Sequence, residues 1–318
     1  MKCSVIIPYY QREPGVLRRA LESVFSQTHD DFDIIVVDDA SPSPVEAELG
    51  ALTLEQRARI AVIKQANAGP GGARNTGLDH VPADSACVAF LDSDDEWAAD
   101  HLKTATEALA RFDADCFFAS IEGGEAFYYH FGVTDLAGST AIERLCDDPP
   151  LVEIPDLASV MLRNWSFLHL SCMVIGARLL RTTRFEAALR LAAEDVLFFH
   201  DCIRGARRVV LGENIGATRG EGLNIFHGVS SDSPQFLQQQ FNTWVALDRL
   251  ESRSSQRPED RASIRSYKQT ARRQALWGQA RLMRGHRPPQ LGLLAQWAWR
   301  DPQILRSAVE LAIAKIAR

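Results

Sequence analysis

Four carboxylates, Asp92, Asp94, Asp95 and Glu96, stand directly after the apolar run Val88–Leu91 in the stretch VAFLDSDDEW. Carboxylates this close repel, and each acquires a raised pKa unless a positive charge joins them. The pattern has two readings: a solvated turn, or oxygen ligands for a divalent cation, Mg2+ or Mn2+, shared with a phosphorylated ligand. An EF-hand is excluded, because the sixth position from Asp92 is Trp97 where glycine is needed, and the twelfth is Lys103 where glutamate is needed. A D-x-D-x-T phosphatase pattern fails at Glu96. The place of the acids, at the mouth of a buried strand, favours the cation and leaves Glu96 to the solvated turn.

Other stretches carry residues of the same kind. NAGPGGARNTG sets Gly69, Gly71 and Gly72 around a chain that can approach a ligand closely, and Arg74 could offer its planar fork of donors to a diphosphate. It is not a dinucleotide fingerprint, since the glycines follow the third strand rather than the first, and no G-K-[ST] of a P-loop is present. FDIIVVDDAS ends in Asp38 and Asp39, and Glu194–Asp195 opens a helix in LAAEDVLFF, where the dipole favours acids in any case. His169 and Trp165, on an apolar stretch, read as packing.

The elements that must position these residues alternate. CSVIIPYY is a strand stopped by Pro8, and Leu17, Ala20, Leu21, Val24 and Phe25 then form a helical stripe. FDIIVVDDAS, IAVIKQAN and ACVAFLDSDD are further strands; between them lie a helix of about a dozen residues around Val45–Arg57 and a helix opened by GPGGARNTGL. Uninterrupted apolar strands separated by helices predict a parallel sheet covered on both faces, with ligands beyond the carboxyl ends of its strands. Tyr9 and Tyr10, Asp38 and Asp39, and Asp92 to Asp95 all stand at such ends. After about residue 115 the rhythm weakens. DCFFAS and EAFYYHFG read as strands, LHLSCMVIGARLL as a strand entering a helix, EDVLFFHDCIRGA as a helix and RRVVLGENIGATRG as a strand or hairpin. From about Ser233 the chain reads as helical to its end, with ESRSSQRPED as a linker.

Composition bounds the rest. The 318 residues are 46% hydrophobic and 24% charged, a globular balance. No apolar run is long enough for a spanning helix, and the apolar start is too short for a signal peptide, so a cytoplasmic protein is expected. The six cysteines are scattered without a C-x-x-C pair and read as free thiols rather than zinc ligands. The net charge of −6 hides an asymmetry: residues 251–318 hold 14 Lys/Arg against 5 Asp/Glu, and residues 1–250 hold 21 against 36. A basic tail suggests a polyanionic neighbour; no nucleic-acid motif accompanies it. QLGLLAQWAWRDPQILRSAVELAIAKIAR mixes Trp297, Trp299, Leu and Ile with Arg300, Arg306, Lys315 and Arg318, and reads either as an interfacial membrane helix or as a helix packed on its own domain.

The blocks SVIIPYYQRE, IIVVDDAS, NAGPGGARNTGL and VAFLDSDDEW, in this order, resemble the inverting family 2 glycosyltransferases of GT-A fold, over about residues 3–230. The opening VIIPYYQREPGVLRRALESVF and the length further resemble glucosyltransferases of bacterial exopolysaccharide (succinoglycan-type) assembly. The resemblance implies an α/β fold with a Rossmann-like, mostly parallel sheet, a smaller antiparallel part and a helical C-terminal tail. It implies a nucleotide-sugar half at 1–115, an acceptor half at 116–232 and a helical region at 233–318. Asp39 would accept the uracil N3–H, with Pro8 and Tyr10 beside the base. Glu13, Asn67, Gly71, Arg74, Asp92 and Ser93 would complete the nucleotide-sugar site. Asp92, Asp94 and Asp95, with the division between the last two left open, and His227 in NIFHGVSSDS would hold Mg2+ or Mn2+. Asp195 would be the general base, with Glu194 bracing it or positioning the acceptor. The chain departs from the pattern at Ile225, where the family has arginine; Arg219 is a candidate substitute.

The implied reaction is transfer of glucose from UDP-glucose, in β-linkage, to a polyprenyl-diphosphate-linked oligosaccharide beside the inner membrane. The Q-x-x-R-W motif of processive members is missing, which implies one sugar per encounter. The alternatives are a nucleotide-sugar pyrophosphorylase-like enzyme and a nucleotide-sugar-binding module without catalysis.

Overall fold

The computed structural model describes residues 1–123, 132–136, 138–164, 167–190, 193–220, 229–253 and 257–316. The chain divides into two compact units, one of Met1–Ala188 with Phe198–Leu223, the other of Leu189–Leu197 with Asn224–Arg318.

The first unit opens with the alternation expected from the sequence. It runs β1 (Cys3–Tyr9), α1 (Val16–Phe25), β2 (Phe32–Asp38), α2 (Val45–Leu49), α3 (Leu54–Ala58), β3 (Ile60–Lys64), α4 (Gly69–Asp79) and β4 (Cys87–Phe90). It continues with β5 (Glu96–Trp97), α5 (His101–Arg111), β6 (Cys116–Gly123), β7 (Glu143–Asp147), β8 (Pro150–Glu153), α6 (Leu157–Arg163), β9 (Met173–Gly176), α7 (Ala177–Leu180), α8 (Glu194–Gly205) and β10 (Val209–Arg219), the first turn of α8 grouping with the other unit. One sheet of order β3-β2-β1-β4-β9-β6-β10-β8-β7 holds these strands, with β5 paired to β10. Strands β3, β2, β1 and β4 are mutually parallel, β9 runs antiparallel between β4 and β6, and β6 and β10 are again parallel. Both faces are buried: Ile34 and Val36 of β2 join the main core, while Ile35 and Val37 pack with Ala73 of α4 on the other side. That is why the strands are apolar throughout rather than alternating. At Gly77 an added Cβ would stand 2.5 Å from Ile6 Cγ2, so only glycine lets α4 lie this close to β1.

Two local expectations are corrected. Pro8 does not stop β1, which pairs with β2 through Pro8 and Tyr9, whereas pairing with β4 ends at Ile6–Phe90. The missing N–H of Pro8 therefore faces the side where β4 has already ended. The single helix expected around Val45–Arg57 is two short ones, because Thr53 and Gln56 close a reciprocal capping box that starts α3 afresh. The hairpin β7–β8 was not anticipated; its short strands carry no long apolar run. The expected strand EAFYYHFG lies almost wholly outside the described residues.

The second unit contains α9 (Pro234–Arg253), α10 (Pro258–Arg284), α11 (Leu291–Arg300) and α12 (Gln303–Ile316). Their core is Leu237, Phe241, Trp244, Ala271, Ala275, Trp297 and Ile304. Arg272 Nε meets Asp301 Oδ2 at 2.6 Å, both side chains buried, and Trp297 Nε1 donates to the same oxygen at 3.3 Å. Among the described residues no helix is long and apolar enough to cross a membrane.

Candidate active site

The loops leaving β1, β2 and β4 meet at the carboxyl edge of the sheet. Gln11, after β1, donates its backbone N–H to Ser41 Oγ at 2.9 Å and its side-chain amide to Ser93 Oγ at 3.1 Å. One residue thus ties the β1 loop to the β2 loop and to the acidic turn after β4. Asp39 is buried, and its backbone N–H donates to Tyr9 O. Its Oδ1 accepts from Gln65 Nε2 and Ala68 N, both at 2.7 Å, and its Oδ2 from Gly69 N at 2.9 Å. Asp39 therefore caps α4, which has no capping side chain of its own at Ala68. A carboxylate accepts about four hydrogen bonds, so Oδ2 retains room for one more donor. Asn67 donates its side-chain amide to Asp39 O at 3.0 Å. Pro8 and Tyr10 are half-buried at the end of β1, Glu13 is exposed, Ser93 is buried, and Gly71 is buried in the first turn of α4.

Arg74, on α4, is buried and reaches Asp92 Oδ1 through Nη2 at 2.6 Å, with its guanidinium 5.5 Å from the Phe185 ring centroid. Asp95 is buried as well. Its Oδ2 accepts from Ser171 Oγ at 2.6 Å, and its Oδ1 from Gly220 N at 3.1 Å. Ser171 Oγ in turn accepts the Asp92 N–H at 3.1 Å, so one hydroxyl spans the acidic turn. Asp92, Asp95 and His169 bring ligand atoms within 4.8 Å of one another, with His169 Nδ1 3.8 Å from Asp95 Oδ2. His169 faces the acids and is no packing residue. The sequence offered no cue for Gln11, Ser171 or Gly220, which bear on the turn from 82, 76 and 125 residues away.

The charges are unevenly held. Burial raises Asp92, but Arg74 first and then His169 outweigh it and leave this carboxyl below its ordinary value. Burial, then Asp95 and Asp92, raises the half-buried Asp94 to about 7. Burial, then Asp92, raises Asp95 to about 7. An oxygen-rich set with one imidazole suits Mg2+ or Mn2+. Among the described residues Asp94 is outside the three-residue cluster, and His227 lies outside the described residues altogether.

Glu194 and Asp195 form the first turn of α8, Glu194 buried and Asp195 half-buried, with Asp195 Oδ1 accepting Val196 N at 2.8 Å. Further along α8, Phe198 stacks on Phe185 at 3.8 Å and meets the Phe90 edge at 5.5 Å.

Residues 4–183 match the family described as Glycosyl transferase family 2. The matched stretch contains Asp39, Arg74, the acidic turn, His169 and Ser171, and ends before Glu194. The chain is 62% identical over 317 residues to the succinoglycan biosynthesis protein ExoW of Rhizobium meliloti (strain 1021), covering 100% of this chain and 99% of that protein. It is 24% identical to the amylovoran biosynthesis glycosyltransferase AmsB of Erwinia amylovora, over 58% of each. Among solved structures, S. aureus TarS 1-349 superposes with a TM-score of 0.58 at 19% identity, covering 87% of this chain and 81% of that one. The mannosyltransferase PcManGT of Pyrobaculum calidifontis, in complex with GDP-Man and Mn2+, superposes at 0.57 and 16% identity, covering 97% and 86%. With the family matched over more than half of the chain and one relative matched end to end, this protein belongs to glycosyl transferase family 2.

Proposed function

We propose that the protein transfers glucose from UDP-glucose, with inversion, to the hydroxyl of a polyprenyl-diphosphate-linked oligosaccharide in the assembly of a succinoglycan-type exopolysaccharide. The observation that carries this reading is the meeting of Gln11, Asp39, Arg74, Asp92 and Asp95 at the carboxyl edge of a parallel sheet, where such sheets bind nucleotides. The end-to-end similarity to ExoW supports the pathway. Residues 1–115 serve the nucleotide sugar and residues 116–232 the acceptor.

Asp39 uses its remaining acceptor position for the uracil N3–H, with Pro8 and Tyr10 beside the ring, while Glu13, Asn67, Gly71 and Ser93 line the rest of the donor site. Arg74 keeps Asp92 ionised and fixed in direction. Asp92, Asp95 and His169, with Asp94 and His227 as further donors, would hold a divalent cation, which would supply positive charge to offset that of a diphosphate. The acceptor oxygen attacks the anomeric carbon from the face opposite UDP. The bond from that carbon to the β-phosphate oxygen breaks, and its electron pair leaves with UDP. Asp195, braced by Glu194, takes the proton of the attacking hydroxyl.

A panel of UDP-sugars tested with Mn2+ or Mg2+, reading UDP release, should show turnover with UDP-glucose and none after chelation. Asp195→Asn should lower transfer by about 10³-fold with UDP affinity nearly unchanged. Undiminished turnover in that variant removes Asp195 from the base role, and turnover in chelator removes the cation.

A further inference from the structure

The two last helices bury one stripe each and expose another. On α11, Trp297 fills the helical core with Leu293, Leu294 and Ala298 packed beside it. On α12, Ile304 does the same. The outward stripes are apolar too. Leu291, Ala295 and Trp299 recur at i, i+4 and i+8 on α11, with Leu291 68% and Trp299 90% exposed. Leu305, Val309 and Ile313 recur at the same spacing on α12, at 60%, 59% and 61% exposed. Residues at this spacing share one helix face. A helix apolar on its inner face needs no second apolar face to fold, so the outer stripes lack a reason within the described chain.

The charge around them selects an occupant. From residue 284 onward the sequence places Arg284, Arg287, Arg300, Arg306, Lys315 and Arg318 against Asp301 and Glu310. Asp301 is buried on Arg272, and Glu310 is shared by Arg273 and Arg306. A second copy of this chain would bring two surplus-positive segments together. A surface of anionic phospholipid supplies both the apolar phase and the countercharge, and tryptophan suits its boundary. We propose that the outer faces of α11 and α12, with Trp299, Leu305, Val309 and Ile313 entering the acyl boundary and Arg300 and Arg306 at the headgroups, dock this protein on an anionic bilayer. The proposal is independent of the donor sugar and of the base.

Flotation of the full chain with phosphatidylcholine vesicles, with and without phosphatidylglycerol, tests it. Binding is expected only with the anionic lipid, and it should weaken as salt is added. Combined Leu305→Gln, Val309→Gln and Ile313→Gln, all at exposed positions, should weaken binding at least about tenfold while UDP release with a water-soluble acceptor stays unchanged. Brominated lipid should quench part of the wild-type tryptophan emission, and Trp299→Phe should remove that part, a readout that needs no unfolding control. Equal flotation of wild type and triple variant overturns the proposal, as does emission that brominated lipid leaves untouched. A wild-type dimer that the triple variant converts to monomer also overturns it, and assigns the face to self-association.

Discussion

At Asp95 the two carboxylate oxygens serve different neighbours, Ser171 on one side and the backbone of Gly220 on the other. The side chain is thereby fixed in direction before any ligand arrives, the kind of support a metal or phosphate site requires. Gly220 comes so close that a methyl group there would overlap the Asp94 carbonyl oxygen. Gly220→Ala should therefore push the end of β10 off the acidic turn and lower kcat roughly 10- to 100-fold, since displacements of about 1 Å in a site carry such losses. UDP release at saturating donor measures this, with circular dichroism showing an unchanged fold; full activity would mean that the turn tolerates the shift. The acids of this turn were legible in the sequence because four of them follow an apolar run. His169, Ser171 and Gly220 were not, because a lone histidine, serine or glycine has no periodic signature and gains its role only when β9 comes beside β4 and β10 pairs with β5.

At the scale of elements, the strands and the longer helices followed from apolar periodicity, and their beginnings did not. Helix α1 starts at Gly15 in the left-handed region, φ 88°, without a capping side chain. Its orphan N–H groups are met by Glu48 of α2, which accepts from Gly15 N at 2.7 Å and Arg18 N at 3.0 Å while fully buried. Helix α4 borrows Asp39 in the same way. Both caps come from about thirty residues away, beyond the reach of any local capping rule. Glu48→Ala would leave two part-buried donors without their carboxylate and should cost about 2 kcal/mol, read from the urea midpoint at constant m. A cost within a few tenths of a kcal/mol would show that water replaces the cap.

For the molecule as a whole, one carboxylate that ties the sheet-bearing unit together, and that acid should weaken, is Asp115 at the entry to β6. Its carboxylate accepts from Arg207 N, Nε and Nη2 and from Arg178 Nε and Nη2, joining β6, α7 and the segment before β10. Although burial opposes it, the hydrogen bonds from Arg207 and then Arg178 hold this carboxyl well below the usual carboxylate range. A depressed folded pKa adds stability above the unfolded value near 4 and loses it as pH falls toward the folded value. Asp115→Asn should thus be roughly 2 kcal/mol less stable at neutral pH, with the gap to wild type closing below about pH 4. A gap independent of pH in denaturant titrations would assign the loss to packing instead. The sequence by itself determined the alternating α/β order, the acidic turn, the glycine-rich helix entry and the basic helical tail, because periodicity, strand ends and charge surplus are properties of neighbouring residues. The tertiary structure alone decided that Arg74 pairs with Asp92, that His169 faces Asp95, that Asp39 caps α4 and that Trp297 is core while Trp299 is surface. Each of those depends on which distant segments share a sheet edge or a helix face, and that is settled only when the two cores close.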